Sequence, residues 1–164
     1  MDLDRTSHWE KVYETKSSNQ VSWTQEYPKT SFEIIQSFEL PKTARIIDVG
    51  GGDSKLVDCL LDAGYEEVTI LDISEKALLR AQKRLGDKAS KVNWVVSDIT
   101  RFKPDRPFDV WHDRAAFHFL TEGEQISQYV ALASKCVKGY LSVGTFSKQG
   151  PFKCSGLNLS LIHI

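Results

Sequence analysis

The sequence predicts an α/β fold, in which helices cover both faces of a mostly parallel β-sheet. Five short runs rich in Val, Ile and aromatic residues alternate with stretches whose apolar residues have helical spacing. A glycine cluster, residues 50–52, follows the first of these runs. An acidic residue stands at or just after the end of each of the first four runs. Strands that alternate with helices form right-handed βαβ units, and these units stack into a three-layer α/β/α sandwich.

The bounds of the elements follow from the apolar spacing and from the residues that start and stop helices. The predicted strands are residues 45–49, 68–71, 92–96, 108–112 and 140–146. The predicted helices are residues 31–40, 55–63, 74–85 and 121–138. Capping-box patterns at 30–33 and 121–124 mark two helix starts, and Ser74 caps a third helix. Gly64 and Gly86 each end a helix, because glycine adopts the left-handed backbone conformation there at little cost.

The composition excludes several classes of protein. The 164 residues form one domain, with 41% hydrophobic and 26% charged residues, which is ordinary for a soluble globular protein. The 21 basic and 22 acidic residues are interspersed, which gives neither a basic footprint for nucleic acid nor a polybasic membrane patch. No signal peptide or transmembrane segment is evident. The three cysteines lie far apart without metal-ligand spacing, so we expect reduced thiols in a cytoplasmic protein and no metal site.

The glycine loop after the first strand is the strongest indication of a ligand. Residues 48–54 match most of the pattern Asp-x-Gly-x-Gly-x-Gly, with Ser54 at the last position. Open α/β sheets bind ligands at the carboxyl ends of their strands, and glycine lets a ligand approach the backbone. Asp48 and Asp53 disfavour a pyrophosphate there and favour a cation. The common cofactor that is both nucleoside-like and cationic is S-adenosylmethionine. The alternative is a tight turn that needs only a flexible backbone.

Five residues of this loop are therefore candidate cofactor-binding residues: Asp48, Gly50, Gly51, Gly52 and Asp53.

The next two strands also end in carboxylates that suit a nucleoside. Asp72 ends the second strand and is predicted to accept hydrogen bonds from both ribose hydroxyls. Asp98 follows the third strand and is a candidate acceptor for the exocyclic amine of adenine, with Ile73 and Ile99 on either side of the ring. The alternative roles are local ones. Asp72 is then a helix cap next to Ser74, and Asp98 a turn-forming residue.

Residues 109–119 begin in the fourth strand and run off its carboxyl end, a position that faces the transferred methyl group in folds of this kind. A sulfonium needs no electrophilic activation, so alignment of the reactants supplies most of the catalysis, about 7–11 kcal/mol. A base is required only where the acceptor must lose a proton. His112, Asp113 and His118 are the candidate catalytic residues, with structural histidines as the alternative. Arg114 is either part of the substrate site or an ion-pair partner of Asp113.

Residues 1–30 are expected to form an irregular polar arm that carries aromatic side chains. Trp9 and Tyr13 stand one helical turn apart, and Trp23 follows in a polar segment. These three side chains form either a lid over the cofactor or a wall of the acceptor pocket. The alternative is that they only pack the arm onto the domain.

Together these segments resemble the class I S-adenosylmethionine-dependent methyltransferases. The resemblance covers residues 8–157 and rests on residues 46–54, 71–74, 97–99 and 109–119. It implies a Rossmann-like sandwich and methyl transfer by in-line displacement to an unidentified small-molecule or protein side-chain acceptor. It also implies that Gly50 and Gly52 line the methionine moiety and that Asp48 orients its amino group. Asp72 and Asp98 are the implied ligands of ribose and adenine.

Two other functions stay open. One is an NAD-dependent oxidoreductase, which Asp53 disfavours, as does Lys55 at the position of the third glycine in Gly-x-Gly-x-x-Gly. The other is a non-catalytic cofactor-binding fragment. The sequence gives no indication of the acceptor or of the oligomeric state.

The resemblance also predicts how the chain is divided. Residues 1–30 are expected to be the arm or lid, and residues 31–158 the cofactor-binding domain. Class I members usually continue past the fifth strand into an antiparallel strand pair. Only about eighteen residues follow Phe146, too few for two strands and their connections, so we expect those final strands to be missing. Residues 159–164 are expected to be a non-native tail, because they can be encoded by the mosaic-end sequence of transposase-made libraries. The alternative is a natural short variant with an apolar tail.

Overall fold

Five parallel strands form the central sheet of this computed structural model, which describes residues 5–114, 116–147 and 149–160. The strands are β1 Arg45–Val49, β2 Glu67–Asp72, β3 Val92–Val96, β4 Phe108–Asp113 and β5 Val137–Val143. Their order across the sheet is β3-β2-β1-β4-β5. The direction of winding therefore reverses between β1 and β4, and in sheets of this kind the ligand crevice lies at that reversal. The α/β architecture predicted from the sequence is confirmed.

Helices cover both faces of the sheet. The helices within the described residues are α1 Arg5–Thr15, α2 Lys29–Ser37, α3 Leu56–Asp62, α4 Glu75–Leu85 and α5 Gly123–Cys136. Short 3₁₀ turns are Ser18–Gln20, Gly86–Lys91, Ile99–Arg101 and Phe117–Phe119. A separate two-stranded antiparallel hairpin follows, made of β6 Lys153–Cys154 and β7 Leu157–Asn158. None of the described helices is both long and apolar enough to cross a membrane.

Two apolar clusters, one on each face of the sheet, hold the layers together. Ile46 and Ile47 are adjacent on β1 and both fully buried, but they belong to different clusters because successive strand side chains point to opposite faces. The first cluster packs β1 and β2 against α2, α3 and α4. The second packs them against α5 through Tyr129 and Ala133. Burial of each large aliphatic side chain contributes about 1.5–3 kcal/mol, so both layers are well anchored.

The structure corrects the predicted capping boxes. The predicted box at 30–33 is wrong, because α2 begins at Lys29 and its N-cap is Pro28, without a side-chain hydrogen bond. The helix ends before Glu39, whose φ of 50° is left-handed. The second box is displaced by one residue, since Glu122 and Gln125 form it in place of Thr121 and Glu124.

The fifth strand begins and ends three residues earlier than predicted. α5 ends at Cys136 and β5 begins at Val137 with no loop between them. The register between β4 and β5 shifts near Asp109. A Cβ at Gly139 would lie 2.3 Å from the carbonyl oxygen of Asp109, so only glycine lets the two strands approach here. This irregularity is not visible in the apolar spacing on which the prediction was based.

The N-terminal arm is more regular than predicted. Its first described residues form α1, which packs on α4, and Tyr13 is buried in the contact. The weakly amphipathic sequence of α1 gave no clear helical signal, because polar residues surround its few apolar ones. Residues 1–4 lie outside the described part of the chain.

β5 lies at one edge of the sheet, and no antiparallel strand within the described residues pairs with it. Leu141 on β5 is half exposed, as expected for an edge strand. Of the predicted tail, Leu159 is buried and the Ser160 amide donates to the His118 carbonyl. The remainder, residues 161–164, lies outside the described residues.

Candidate functional site

A cavity of about 520 Å³ lies at the carboxyl edge of the sheet, beneath the N-terminal arm. This volume is within the usual range for small-molecule sites, about 300–1,000 Å³. Its lining comes from the segments that follow β1, β2, β3, β4 and β5, together with the arm. Parallel strands bring their carboxyl ends to one edge, so side chains far apart in sequence meet here.

The glycine loop forms the floor of the cavity through Gly50 and Gly51, whereas Gly52, also predicted as a cofactor-binding residue, is not in the lining. Gly50 and Gly52 have positive φ values of 68° and 48°. The amides of Gly50 and Gly51 donate to the Leu71 carbonyl at 2.8 and 3.2 Å, which fixes the loop against β2. A Cβ on Gly51 would lie 2.7 Å from Asp48 Oδ2, and one on Gly52 would lie 2.6 Å from Tyr13 Oη. The three glycines are therefore required by backbone conformation or by close approach.

Asp48 and His112 form a buried pair beside this loop. The register of β1 and β4 places the two residues opposite each other. Asp48 Oδ1 lies 2.7 Å from His112 Nδ1, and both side chains line the cavity. The carboxylate thereby fixes the orientation of the imidazole ring. Both had been predicted as site residues, but their pairing depends on strand register.

Asp72 lies at the end of β2 and also lines the cavity. Its Oδ1 accepts the Ser74 amide at 2.8 Å, so its local capping role is present. Burial is the main cause that raises the pKa of Asp72 to about 7, although backbone hydrogen bonds from Ser74 and Gly52 oppose the shift. Asp72 thus changes charge near neutral pH, which is unusual for a carboxyl group.

Asp98 lines the cavity beyond β3 and is bound on both carboxylate oxygens. Its Oδ1 accepts the amide and hydroxyl of Thr100 at 2.9 and 2.8 Å, which caps the 3₁₀ turn there. Its Oδ2 accepts a hydrogen bond from Arg5 of α1 at 2.7 Å. Ile73 and Ile99 lie beside it in the cavity lining, as the sequence predicted.

Asp53 contacts the arm and α4 as well as the cavity. The Ser18 hydroxyl donates to Asp53 Oδ2 at 2.8 Å, and an Arg80 guanidinium nitrogen lies 3.7 Å from the same oxygen. Arg84 donates to the Asp53 carbonyl at 2.7 Å. The sequence predicts that the negative charge of Asp53 favours a cationic ligand. In the structure Arg80 balances this charge locally.

Asp113 does not line the cavity. It is fully buried on the opposite side of β4 from His112, because adjacent strand residues face opposite ways. Its Oδ1 accepts the Ala116 amide at 2.8 Å, and Tyr129 Oη donates to its Oδ2 at 2.7 Å. Trp111 Nε1 in turn donates to Tyr129 Oη at 3.0 Å. The structure thus gives Asp113 a structural position behind the site, in place of the predicted catalytic one.

His118 lies in the 3₁₀ turn after β4 and lines the cavity with only 6% exposure. Its ring centroid is 4.3 Å from that of Phe119 and 5.1 Å from that of Phe146. Burial lowers the pKa of His118 to about 4, so the ring is neutral at physiological pH. Within the described residues, its Nδ1 has no hydrogen-bond partner.

The arm closes the cavity with aromatic rings. Trp9 packs edge-on against Trp23 and Phe119, with ring centroids 5.8 and 5.0 Å apart. Tyr13 is buried next to them, and burial raises its pKa well above the ordinary value. Arg114 donates to the Trp23 carbonyl at 3.0 Å and to a neighbouring glutamine side chain. Arg114 therefore holds the arm segment that carries Trp23.

Several lining residues were missed from the sequence: Thr24, Phe119, Gly144, Thr145, Phe146 and Cys154. Most of them follow β5, whose carboxyl end reaches the same edge of the sheet as the other four. The rule that ligands bind at the strand ends applied to β5 as well. No group of His, Cys, Asp and Glu side chains suited to a metal ion occurs among the described residues.

Comparison with known proteins identifies the family of this chain. A family model described as a methyltransferase domain matches residues 46–139. A curated relative, the eEF1A lysine and N-terminal methyltransferase of Mus musculus, is 26% identical over 73% of this chain. The chain spans about 17% of the length of that relative.

Solved structures share the fold. An S-adenosylmethionine-dependent methyltransferase from Clostridium acetobutylicum has a TM-score of 0.62 and 20% identity, covering 71% of this chain and 49% of its own. The glycopeptide N-methyltransferase MtfA in complex with S-adenosyl-L-methionine has a TM-score of 0.59 and 21% identity, covering 68% of this chain and 51% of its own. The family match extends over more than half of the 164 residues, and the resemblance predicted from the sequence is confirmed. The chain belongs to the methyltransferase-domain family and has the fold of the class I S-adenosylmethionine-dependent methyltransferases.

Proposed function

We propose that this chain binds S-adenosylmethionine at the carboxyl edge of its sheet and transfers the methyl group to an acceptor at the aromatic end of the same cavity. One observation carries the proposal: a single cavity is lined both by the glycine loop with Asp72 and by Trp9 with His118. The cofactor end and the acceptor end are thus continuous. Membership of the methyltransferase-domain family supports the same reaction.

The residues of the cofactor end fit a nucleoside-like ligand. The loop at Gly50 and Gly51 lines the cavity, and it packs so closely on the sheet that a Cβ on Gly51 would lie 2.7 Å from Asp48 Oδ2. In this proposal Gly50 and Gly51 line the methionine moiety, whereas Gly52, which is not in the cavity lining, supports the loop beside Tyr13. Asp72 accepts hydrogen bonds from the ribose hydroxyls, which its buried carboxylate suits.

The remaining cofactor contacts follow from the same placement. Asp98 is proposed to accept the adenine amine, and Ile73 and Ile99 to contact the ring. Asp48 orients the amino group of the methionine moiety while it holds His112. Asp53, which contacts the arm and Arg80, keeps the loop and the arm together.

The chain's own contribution to the reaction is alignment and exclusion of water. When bound, S-adenosylmethionine supplies a methyl group on a sulfonium, and the bonding electron pair stays on sulfur as the methyl leaves. Trp9, Trp23 and Phe119 enclose the acceptor end. Alignment in such a site supplies about 7–11 kcal/mol. The arm is accordingly proposed to act as a lid that closes over the reactants.

We propose a nitrogen acceptor on a small molecule or a protein side chain. The names of similar proteins support nitrogen: the mouse relative is named for lysine and N-terminal methylation, and MtfA for N-methylation of a glycopeptide. They differ in whether the acceptor is a protein, so the size of the acceptor is left open in the proposal.

Two measurements test the proposal. Calorimetry should give binding of S-adenosylmethionine and of S-adenosylhomocysteine, and no comparable binding of NAD. Transfer of a radiolabelled methyl group to an amine or protein panel should then distinguish an enzyme from a non-catalytic binder. Asp72→Ala should weaken cofactor binding by about 1.5–3 kcal/mol, the range for a hydrogen bond to a charged group. Asp87→Ala, at an exposed turn, is the matched control. Tighter binding of NAD would support an oxidoreductase and contradict the proposal.

A further inference from the structure

Arg114 carries a positive charge at the cavity that no acidic side chain among the described residues balances. The one other arginine or lysine in the described lining is Arg5, which is paired with Asp98 at 2.7 Å. The contacts of Arg114 are neutral instead. It donates to the Trp23 carbonyl at 3.0 Å and to the side-chain oxygen of Gln25. A guanidinium has five N–H groups, so these two contacts leave others for a ligand.

The side chain of Arg114 lies among residues of the lining along its whole length. At its base, a Cβ on Gly144 would lie 3.3 Å from Arg114 Cγ. At its tip, the guanidinium contacts Trp23 and Gln25. These three neighbours all line the cavity, and Arg114 itself is only partly buried. The guanidinium is therefore within reach of a ligand in this cavity.

Strand register sets Arg114 beside the glycine loop. Val49 and Asp113 are paired across β1 and β4, so the residues that follow them, Gly50 and Arg114, leave the sheet side by side. Adjacent strands in a sheet lie about 4.8 Å apart. In the proposed function Gly50 lines the methionine moiety. Arg114 is then at the amino-acid end of the cofactor, whereas Arg5 is at the adenine end.

The amino-acid end of S-adenosylmethionine carries a carboxylate as well as an ammonium. Asp48 and Asp53 line the cavity here, and they attract the ammonium but repel the carboxylate. The loop amides do not compensate for this repulsion, because those of Gly50 and Gly51 donate to the Leu71 carbonyl. A carboxylate at this end therefore needs a cationic donor. A guanidinium suits it, because its planar fork can donate two parallel N–H bonds to a carboxylate.

We propose that Arg114 binds the carboxylate of the methionine moiety and that the same guanidinium holds the arm closed over the ligand. The inference rests on the proposed function and adds a ligand group, and a residue that binds it, which that function does not assign. Arg114 contacts Trp23 and Gln25 of the arm with two N–H groups and the carboxylate with others. One side chain thus joins the ligand to the arm, so a cofactor with its carboxylate holds the arm more firmly than one without it.

Two cofactor analogues isolate this contact. S-adenosylhomocysteine has the carboxylate, and 5′-deoxy-5′-(3-aminopropylthio)adenosine differs from it only in lacking that group. Calorimetry on wild type should show that S-adenosylhomocysteine binds at least about tenfold more tightly than the decarboxylated analogue, as expected for a hydrogen-bonded charge. Arg114→Gln should remove most of this difference. It should weaken the binding of S-adenosylhomocysteine and leave that of the decarboxylated analogue unchanged or tighter, because this analogue carries only a positive charge. Arg114→Lys keeps the charge without the planar fork and should retain part of the difference.

Arg106→Gln is the matched control, because it removes the same charge from an exposed position outside the cavity lining. The ratio of the two affinities should be the same in this control and in wild type. A ratio that is also unchanged in Arg114→Gln overturns the proposal, whether both analogues bind as before or both bind more weakly. Equal weakening would mean that Arg114 only supports the arm. Absence of S-adenosylhomocysteine binding in wild type would overturn the proposed function as well.

Hydrogen–deuterium exchange of wild type tests the link to the arm without any substitution. The backbone amides of residues 18–25 should exchange more slowly in protein saturated with S-adenosylhomocysteine than in protein saturated with the decarboxylated analogue. Both complexes contain the adenosine and the ammonium, so a difference between them reports on the carboxylate alone. Equal exchange in the two complexes overturns the proposed coupling of arm closure to the carboxylate.

Discussion

Arg5 donates a hydrogen bond to Asp98 at 2.7 Å, across 93 positions of sequence, and so ties the first turn of α1 to the end of β3. The two side chains are about one-fifth exposed, and both line the cavity. The residue predicted to bind adenine is therefore also a fixing point of the arm. In the proposed function, opening of the arm and access to the adenine end would be linked through this one carboxylate.

Arg5→Gln should accelerate release of the cofactor. The substitution removes the ionic contact that holds the arm over the cavity, so S-adenosylhomocysteine should dissociate several-fold faster. The free energy of unfolding should fall by only about 0.2–1 kcal/mol, because the pair is partly exposed. Stopped-flow tryptophan fluorescence measures the dissociation rate, with Trp9 and Trp23 as the reporters. Lys88→Gln is the matched control, since its pair with Asp62 is exposed and neither residue lines the cavity. An unchanged dissociation rate would show that the Arg5–Asp98 contact does not hold the arm over the cavity.

Asp72 should make cofactor affinity dependent on pH. Its pKa is raised to about 7, and ribose hydroxyls donate best to the ionised carboxylate. Affinity for S-adenosylmethionine should therefore increase from pH 6 to pH 8. Asp72→Asn should bind more weakly at pH 8 and lose this dependence. Calorimetry at several pH values checks both; a parallel pH dependence in the two proteins would contradict the assignment.

The same pKa shift has a predictable effect on stability. The native carboxyl binds its proton more tightly than an unfolded one, whose pKa is about 3.9. The contribution of this carboxyl to the free energy of unfolding is therefore fully present below the unfolded-state pKa. It is lost as pH rises towards about 7. Chemical denaturation should show this loss in wild type, and Asp72→Asn should lack it. If the free energy of unfolding depends on pH in the same way in both proteins, the pKa of Asp72 is not raised.

Gly51→Ala should disrupt the site. The new methyl group would lie 2.7 Å from Asp48 Oδ2 and 2.8 Å from an Ile70 methyl carbon, and neither can move freely in the packed floor. We expect a loss of about 1–3 kcal/mol in the free energy of unfolding, together with weaker cofactor binding. Gly123→Ala at the start of α5 is the control, because nothing lies within 4 Å of its added methyl group. Similar unfolding curves for the two variants would show that the loop tolerates a side chain.

Tyr129→Phe should destabilise the protein without changing cofactor affinity. The hydroxyl donates to the buried Asp113 and accepts from Trp111, and neither Tyr129 nor Asp113 lines the cavity. Its loss removes a hydrogen bond to a charged group, at a cost of about 1.5–3 kcal/mol. Denaturant unfolding measures the change, with Tyr27→Phe on the exposed surface as the control. A fall in cofactor affinity as large as the fall in stability would place Asp113 in the site after all.

Local sequence patterns predicted most of the strands and helices and the edge of the sheet where the site lies. The predicted bounds of β1 and β3 match the structure, and the Ser74 hydroxyl accepts the Ala77 amide as a helix cap should. These features depend on local spacing and on turn chemistry, which neighbouring residues decide. The glycine loop after β1 marked the ligand edge for the same reason, since its backbone conformation is a local requirement.

Which side chains meet at that edge depends on long-range packing. The register with β1 and the packing of α5 decide on which side of β4 His112 and Asp113 lie. They also decide which residue each of them contacts. The contact of Arg5 with Asp98 depends on how α1 packs against the rest of the fold. The burial that keeps His118 neutral comes from aromatic residues before and after β5. Each of these is a long-range relationship, fixed by the docking of whole elements, and apolar periodicity along one segment carries no information about it.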